Sequence, residues 1–443
     1  MKMPRVLQVI FFLSLIAERD VTYMNYLPSP GQLLGWFLEP HPLHASVYEL
    51  LCAGMLFAAW SKARGARVRP MRRALAISLL TVLLWVLFGL VNGGWGKGMY
   101  TQVHFWTFAM IFSLAAGNVL TTREDFRGML KAIVYAALYR ATMGLAFYAF
   151  VARSLPDRPA VMTNHEDTVL FVTAILILLS EAIELRSRKA IRTLLLAAPF
   201  IMAAVQVNNR RIAWASLAEG ILVLYLLLPA RGRVTRRINR ALLVLAPALV
   251  TYVIVGWGRP GKLFKPLASM SSMMGGGKVD ESTKARDIEN FGLVLMVQAH
   301  PLVGTGLGHE WLEVDDSHTV PVSVFPMYHY MPHNGVTVMV GFLGGLGFAG
   351  LWLPLPVAVY LNRRGYRMAS DPQDRVLAAI GVTSVVVVMN QMFGDMGFIT
   401  NTPLTIMGVG FAAASRLPVW TGAWPEGRAR PLPATSAPPA PAV

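Results

Sequence analysis

Residues Ala74–Val91 read ALAISLLTVLLWVLFGLV, eighteen positions without a charged side chain, and the stretch Lys62–Arg73 before them carries six basic residues and no acid. About twenty mainly apolar residues are needed to cross a bilayer as a helix. The basic flank marks the end held on the cytoplasmic side. A membrane span with a basic cytoplasmic loop is therefore the unit to look for elsewhere.

The unit recurs along the whole chain. Further spans are expected near Val6–Ala17, Leu43–Trp60, Val103–Leu120, Met129–Val151, Thr168–Ile183, Thr193–Val207, Ile212–Pro229, Ala241–Trp257, Val336–Leu361, Val376–Met392 and Pro403–Ala414. With Ala74–Val91 they make twelve. The first is short, but Ala17 is followed by Glu18, Arg19 and Asp20 rather than by a small-residue cleavage site, so an uncleaved helix is expected. Four loops are basic: Lys62–Arg73, Arg186–Arg192, Arg231–Arg240 and Arg363–Arg367. Twelve spans with the N-terminus inside put all four on the cytoplasmic face.

Composition agrees. The chain has 443 residues, 55% apolar and 14% charged, with a mean hydropathy of +0.49. Length alone would suggest about three soluble domains, but a soluble chain carries about 25% charged residues. Lys and Arg number 40 against 24 Asp and Glu, a formal charge of +16. Because the excess sits in short runs between apolar stretches, it points to anionic lipid and not to nucleic acid. The single Cys52 leaves no disulfide framework and no cysteine metal site.

The expected fold is an all-α polytopic membrane protein. Residues 1–257 hold the first nine spans, 258–335 an outer segment with short helices, 336–416 the last three spans, and 417–443 an unstructured Pro- and Ala-rich cytoplasmic tail with seven prolines. The outer segment opens with a flexible Met270–Gly277 stretch and reads helically over Thr283–Gln298, which puts Arg286, Asn290 and Leu293 on one face.

Three outward elements bear chemistry. Asn208-Asn209-Arg210-Arg211 sits between two spans on the face where basic residues are disfavoured, and paired guanidiniums suit a diphosphate. The plain alternative is snorkelling to lipid headgroups. Arg286 precedes His300-Pro301-Leu302-Val303-Gly304-Thr305-Gly306-Leu307-Gly308, which lacks the Lys-Ser/Thr of a nucleotide loop and reads as a tight Gly-rich turn. His333-Asn334-Gly335 opens the tenth span, where an imidazole can act as a general base. Gly341, Gly344 and Gly347 beyond it read as close helix packing.

Taken together, these elements resemble the O-antigen ligase and polymerase superfamily of bacterial envelope glycosyltransferases. Arg211-Ile212-Ala213-Trp214 is similar to its Arg-Gly-Ala-Trp element, Arg286 with Pro301–Gly306 to its Arg followed by Pro-Leu-x-Gly-x-Gly, and His333-Asn334 with Gly344 and Gly347 to its His-Asn helix start. Two positions depart from the pattern. Ile212 replaces a glycine, and Phe342 stands nine positions after the histidine, where the family often has Glu. Asp395, in the last outer loop, is the substitute charge on offer.

The resemblance implies transfer of a glycan from undecaprenyl diphosphate to a saccharide acceptor, a growing chain or a lipid A core, at the periplasmic face of the bacterial inner membrane. It implies a reaction that inverts the anomeric centre and uses no metal, nucleotide sugar or other cofactor. Arg211 and Arg286 would hold the diphosphate and His333 would activate the acceptor. Arg210, Asn334, His329 and Asp395 are the expected substrate-binding residues around them.

Other residues carry competing readings. His309, Glu313, Asp315, Asp316 and His318 crowd one outer stretch and are read as a solvated or sugar-facing loop in preference to a metal site. Arg140 and Glu219 fall mid-span and are expected to pair or to line a cavity. His165-Glu166-Asp167 is read as a helix cap. A flippase of the same lipid-linked glycan is the rival function. It would show paired halves with broken helices, and neither is legible.

Overall fold

The computed structural model describes residues 2–17, 26–39, 45–60, 67–159, 161–230, 232–259, 261, 264, 267, 271, 281–315, 327–395 and 397–425. Among them there is helix and no strand. The expectations for Glu18–Asp20, Lys62 and Arg64, Arg231, most of Met270–Gly277, Asp316, His318 and 426–443 lie outside the described residues.

The main helices are α1 (Met3–Ile16), α2 (Val47–Trp60), α3 (Arg69–Val91), α4 (Gly96–Val119), α5 (Arg123–Phe147), α6 (Asp167–Leu185), α7 (Arg188–Asn208), α8 (Arg211–Leu227), α9 (Arg233–Gly256), α10 (Glu281–Ala299), α11 (Gly335–Trp352), α12 (Pro354–Met368), α13 (Pro372–Gly394) and α14 (Asn401–Trp420). Among the described residues, each stretch expected to span is helical over most of its length. Among the described residues, seven helical segments are long and apolar enough to cross a membrane: α3, α5 with its π-helical continuation to Ala152, α6, α7, α9, the α11–α12 pair, and α13. The chain is a membrane protein of the all-α class.

The helices outside that set are short or central. α1, α2 and α8 have 14, 14 and 17 residues. α14 is buried from Thr402 through Pro418 and packs on α4, α12 and α13. A helix enclosed by other helices need not be apolar all round, provided its polar groups find partners. Thr405 Oγ1 donates to the Asn401 carbonyl at 2.9 Å, and Arg416 Nε donates to the Gly117 carbonyl at 2.8 Å. α14 runs on to Trp420, so Leu417–Trp420 are helix and not part of an unstructured tail.

At the other extreme stands α9. Leu243 and Val244 are 76% and 77% exposed. An apolar surface of that kind in water would be an association hazard, and in a bilayer it is the ordinary outer face of a span.

Contacts between helix ends fall into two sets. At the end bearing the Arg-rich loops, Arg123 grips Asp374 through Nε at 2.7 Å and Nη2 at 2.9 Å, and the Val68 N–H donates to the Ser415 carbonyl at 2.9 Å. At the opposite end, Asn208 Oδ1 accepts from the N–H groups of Met162 and Thr163 at 3.1 and 2.9 Å. There too, Gln102 accepts from the Gly308 N–H at 2.6 Å and donates to the carbonyls of His309 and Tyr330.

The tenth expected span is not one helix. α11 breaks at Gly344 (φ 60°, ψ −178°), and the chain restarts as α12 at Pro354. A break inside a membrane strands backbone groups that must be paired by protein. The Pro301–Gly306 run pairs them. Thr305 and Gly306 N–H donate to the carbonyls of Gly341 and Phe342 at 3.1 and 2.9 Å, while Gly345 and Leu346 N–H donate to those of Pro301 and Leu302 at 2.8 and 3.1 Å. So the run is a splice across a broken helix rather than an isolated turn, and the expectation of unbroken helices is corrected. The glycines are obligatory there: a Cβ on Gly344 would lie 2.3 Å from the Leu302 carbonyl carbon, and one on Gly304 (φ 69°) 2.3 Å from that of Phe342.

Candidate active site

α10 packs along α11 and carries two candidate side chains about one turn apart. Arg286 and Glu289 are three residues apart, about 4.5 Å of helical rise, and face different partners.

Glu289 is 2% exposed and accepts three hydrogen bonds. His333 Nδ1 donates to its Oε2 at 2.9 Å, Tyr328 Oη donates to the same oxygen at 3.0 Å, and the Asn334 N–H donates to Oε1 at 3.0 Å. Burial pushes this carboxyl up. The hydrogen bond and charge of His333, with backbone donors, outweigh burial and hold it below the usual glutamate range. A carboxylate on Nδ1 fixes the tautomer, so Nε2 presents its lone pair outward, the state a general base needs. Asn334 positions the histidine from the other side: its Oδ1 caps α11 by accepting from the Thr337 N–H at 3.0 Å, and its Nδ2 donates to Asn290 Oδ1 at 2.8 Å.

Arg286 turns toward Asp395, with Nη2 3.9 Å from Oδ1. Asp395 follows α13 and is 3% exposed. The same Oδ1 accepts from His165 Nδ1 at 2.7 Å, and Gln391 Nε2 donates to the Asp395 carbonyl at 3.0 Å. Burial raises this carboxyl, but His165, Arg210 and Arg286 together bring it below its ordinary value.

Arg210 completes the cluster. Asn209 closes α7 in the left-handed conformation (φ 58°) and Arg210 takes the extended N-cap position of α8, which directs it inward. Burial lowers its guanidinium, Asp395 draws it back up and Arg286 pushes it down. Two guanidiniums thus act on the Asp395 carboxylate, and Asp167 adds a weaker pull on Arg210.

Of the expected residues, the structure brings His333 and Asn334 together on Glu289, and Arg210, Arg286 and Asp395 together beside them. Arg211 is exposed at the first turn of α8, whereas Arg210 beside it is half-buried and feels the charges of Asp395 and Arg286. His329 pairs with Glu313 and does not join the Glu289 group. The Ile212 departure has a physical counterpart: a Cβ on Gly394 would lie 2.5 Å from Ile212 Cδ1, so the larger side chain is seated against a glycine next to Asp395.

Glu289 and His165 were missed. Glu289 shares the Arg286 face at i+3 and was legible from helical spacing. His165-Glu166-Asp167 is not a simple cap, for each member reaches another element. His165 holds Asp395, Glu166 Oε2 accepts from the Thr402 N–H at 3.2 Å, and Asp167 lies 3.5 Å from Arg140 Nε. Arg140 therefore pairs with Asp167 and with the Leu15 and Ala17 carbonyls at 3.2 and 2.6 Å, not with Glu219, which is exposed on α8.

Neither a family model nor a curated protein matches this chain in sequence.

Proposed function

We propose that the protein is a membrane glycosyltransferase that moves a glycan from undecaprenyl diphosphate to a saccharide hydroxyl at the periplasmic face of the bacterial inner membrane, as an O-antigen or exopolysaccharide polymerase or an O-antigen ligase. The observation that carries the reading is the sharing of α10. One turn presents Glu289 to His333 and the preceding turn presents Arg286 beside Arg210, so a base and an anion cradle are fixed by one rigid element.

In this reading His333 Nε2 accepts the proton of the acceptor hydroxyl as its oxygen attacks the anomeric carbon. The bond from that carbon to the diphosphate oxygen breaks, and the leaving diphosphate takes up the electron pair against Arg210 and Arg286. Attack opposite the leaving group inverts the anomeric centre. The charge that Phe342 does not supply comes from Glu289, on a different helix. In this reading twelve spans with the four basic loops inside would put the cluster on the outer face, and the two sets of helix-end contacts support that alternation.

The test is transfer by purified protein in proteoliposomes. A fluorescent oligosaccharide on undecaprenyl diphosphate should move to a saccharide acceptor, with free undecaprenyl diphosphate as the co-product, and chelation should leave the rate intact.

The broken α11 favours a second reading, a flippase of the same lipid. Against it, Pro301–Gly306 takes up the carbonyls of Gly341 and Phe342 and the N–H groups of Gly345 and Leu346, backbone groups that an ion site at the break would use. Movement of the labelled lipid across the bilayer with no new glycosidic bond would decide for the flippase.

A further inference from the structure

We propose that His165 is a third donor to the diphosphate of the lipid-linked substrate, one that is switched on by protonation; this rests on the donor reading above. His165 and Arg286 flank the same oxygen of Asp395, at 2.7 and 3.9 Å. Both side chains are 37% exposed while Asp395 is 3% exposed, so the carboxylate forms the floor and the two nitrogen-bearing heads form the rim.

The state of the free nitrogen decides the effect. With Nδ1–H given to Asp395, neutral His165 presents a lone pair at Nε2, which repels a phosphate oxygen. Protonation replaces the lone pair with an N–H, and a hydrogen bond between charged groups is worth about twice a neutral one.

The charges around the His165–Asp395 pair come from several elements. Asp395 comes from the end of α13, Arg286 from α10, and Arg210 from the turn before α8. On its own segment, Asp167 lies 3.5 Å from Arg140 and also acts on Arg210, and Glu166, whose carboxyl is pushed up by burial, accepts from the Thr402 N–H. Asp395 is therefore the counter-ion of His165. Counting the groups that act on Asp395, with Arg140 and Asp167 taken as a neutral pair, two arginines against one aspartate leave one net positive charge, and an imidazolium raises it to two. A diphosphate esterified at both ends carries two negative charges, so only the protonated cluster matches it.

A dialkyl diphosphate with short chains is the probe, because both its acidic groups stay ionised from about pH 6 to about pH 8, the interval over which histidine titrates. Binding to the full-length protein in detergent should weaken about tenfold across that interval. His165→Gln, whose amide can still donate to Asp395, should bind at the weaker level throughout, with a flat profile. His333→Gln should keep the slope. Should His165→Gln not accumulate, the ¹⁵N resonance of His165 Nε2 in the wild type should shift on adding the probe at about pH 6 and not at about pH 8. A slope retained in His165→Gln, an unmoved resonance, or a flat wild-type profile overturns the role of His165 while leaving the donor reading in place. Failure of the wild type to bind at either pH overturns both.

Discussion

Glu289 and His333 are 44 residues apart in the chain and meet at 2.9 Å, the carboxylate on Nδ1 and the ring 24% exposed on its other side. The pair joins α10 to the start of α11, so the base of the proposed reaction is oriented by the helix that also carries Arg286.

Removing that orientation should cost rate rather than substrate affinity. Glu289→Gln keeps the shape but frees the imidazole to take the other tautomer, and turnover should fall about 10²-fold, within the range general-base assistance supplies. Single-turnover transfer with saturating donor measures it. Stability has a definite sign as well. The folded carboxyl titrates below its ordinary value, so its contribution is present above the unfolded pKa of about 4.3 and is lost as pH falls through the folded one. The thermal midpoint of wild type should exceed that of Glu289→Gln at about pH 7, and the gap should close on acidification.

Arg210 and Arg211 are adjacent in sequence and differ in placement. Arg210→Ala should raise the donor KM and lower kcat, because it removes charge next to Asp395 and Arg286. Arg211→Ala, at an exposed position, should change both by less. Arg210→Lys should rescue only in part, since a point charge does not reproduce a forked contact to phosphate. Equal effects of Arg210→Ala and Arg211→Ala would count against the inward assignment.

What the sequence made legible follows from where the physical signal lies. Apolar length and basic loops are local, and the described parts of the expected spans are largely helical, the tenth broken at Gly344. The Arg286–Asn290–Leu293 face follows from a single helical period and holds, with Leu293 fully buried and Asn290 on Asn334. Choices set by tertiary contact were not local. The αL conformation of Asn209 decides which arginine turns inward, and nothing in Asn-Asn-Arg-Arg distinguishes them. Arg140 chose Asp167 over Glu219 because α6 packs on α5 and brings an acid to it. Likewise, Pro301–Gly306 acquires its role only from the break 38 residues later at Gly344.

That break gives a stability prediction. Gly344 has backbone angles reserved for glycine, and a side chain would meet the Leu302 carbonyl. Gly344→Ala should cost at least the about 1–3 kcal/mol of such strain, with a steric cost added, and thermal unfolding in detergent should show a clear drop. Gly345→Ala is the control, since a Cβ there meets its nearest neighbour, the Pro301 carbonyl oxygen, only at 3.5 Å.

Topology is open to a direct measurement. Reporter fusions after Arg240 and after Trp257 bracket the outward-facing apolar stretch of α9 and should report opposite sides of the membrane, the first cytoplasmic. The same side for both would refute the twelve-span arrangement and, with it, the periplasmic placement of α10.

His333 and His329 offer the sharpest contrast. They lie four positions apart, each held through Nδ1 by a glutamate, Glu289 for His333 and Glu313 for His329. Chemistry at the ring is therefore alike, and only location differs. Glu289 stands one turn from Arg286 on α10, whereas Glu313 lies beyond Trp311, whose N–H donates to the His329 carbonyl at 2.9 Å. A bound donor held at Arg210 and Arg286 would bring its anomeric carbon toward His333, and effective catalysis requires reacting atoms within about 3–3.5 Å. His333→Ala should therefore reduce turnover by about 10²–10⁴-fold with donor binding retained, and His329→Ala should leave most of the turnover in place. A reversed order in that single-turnover comparison would move the base to the Glu313 pair and detach the chemistry from α10.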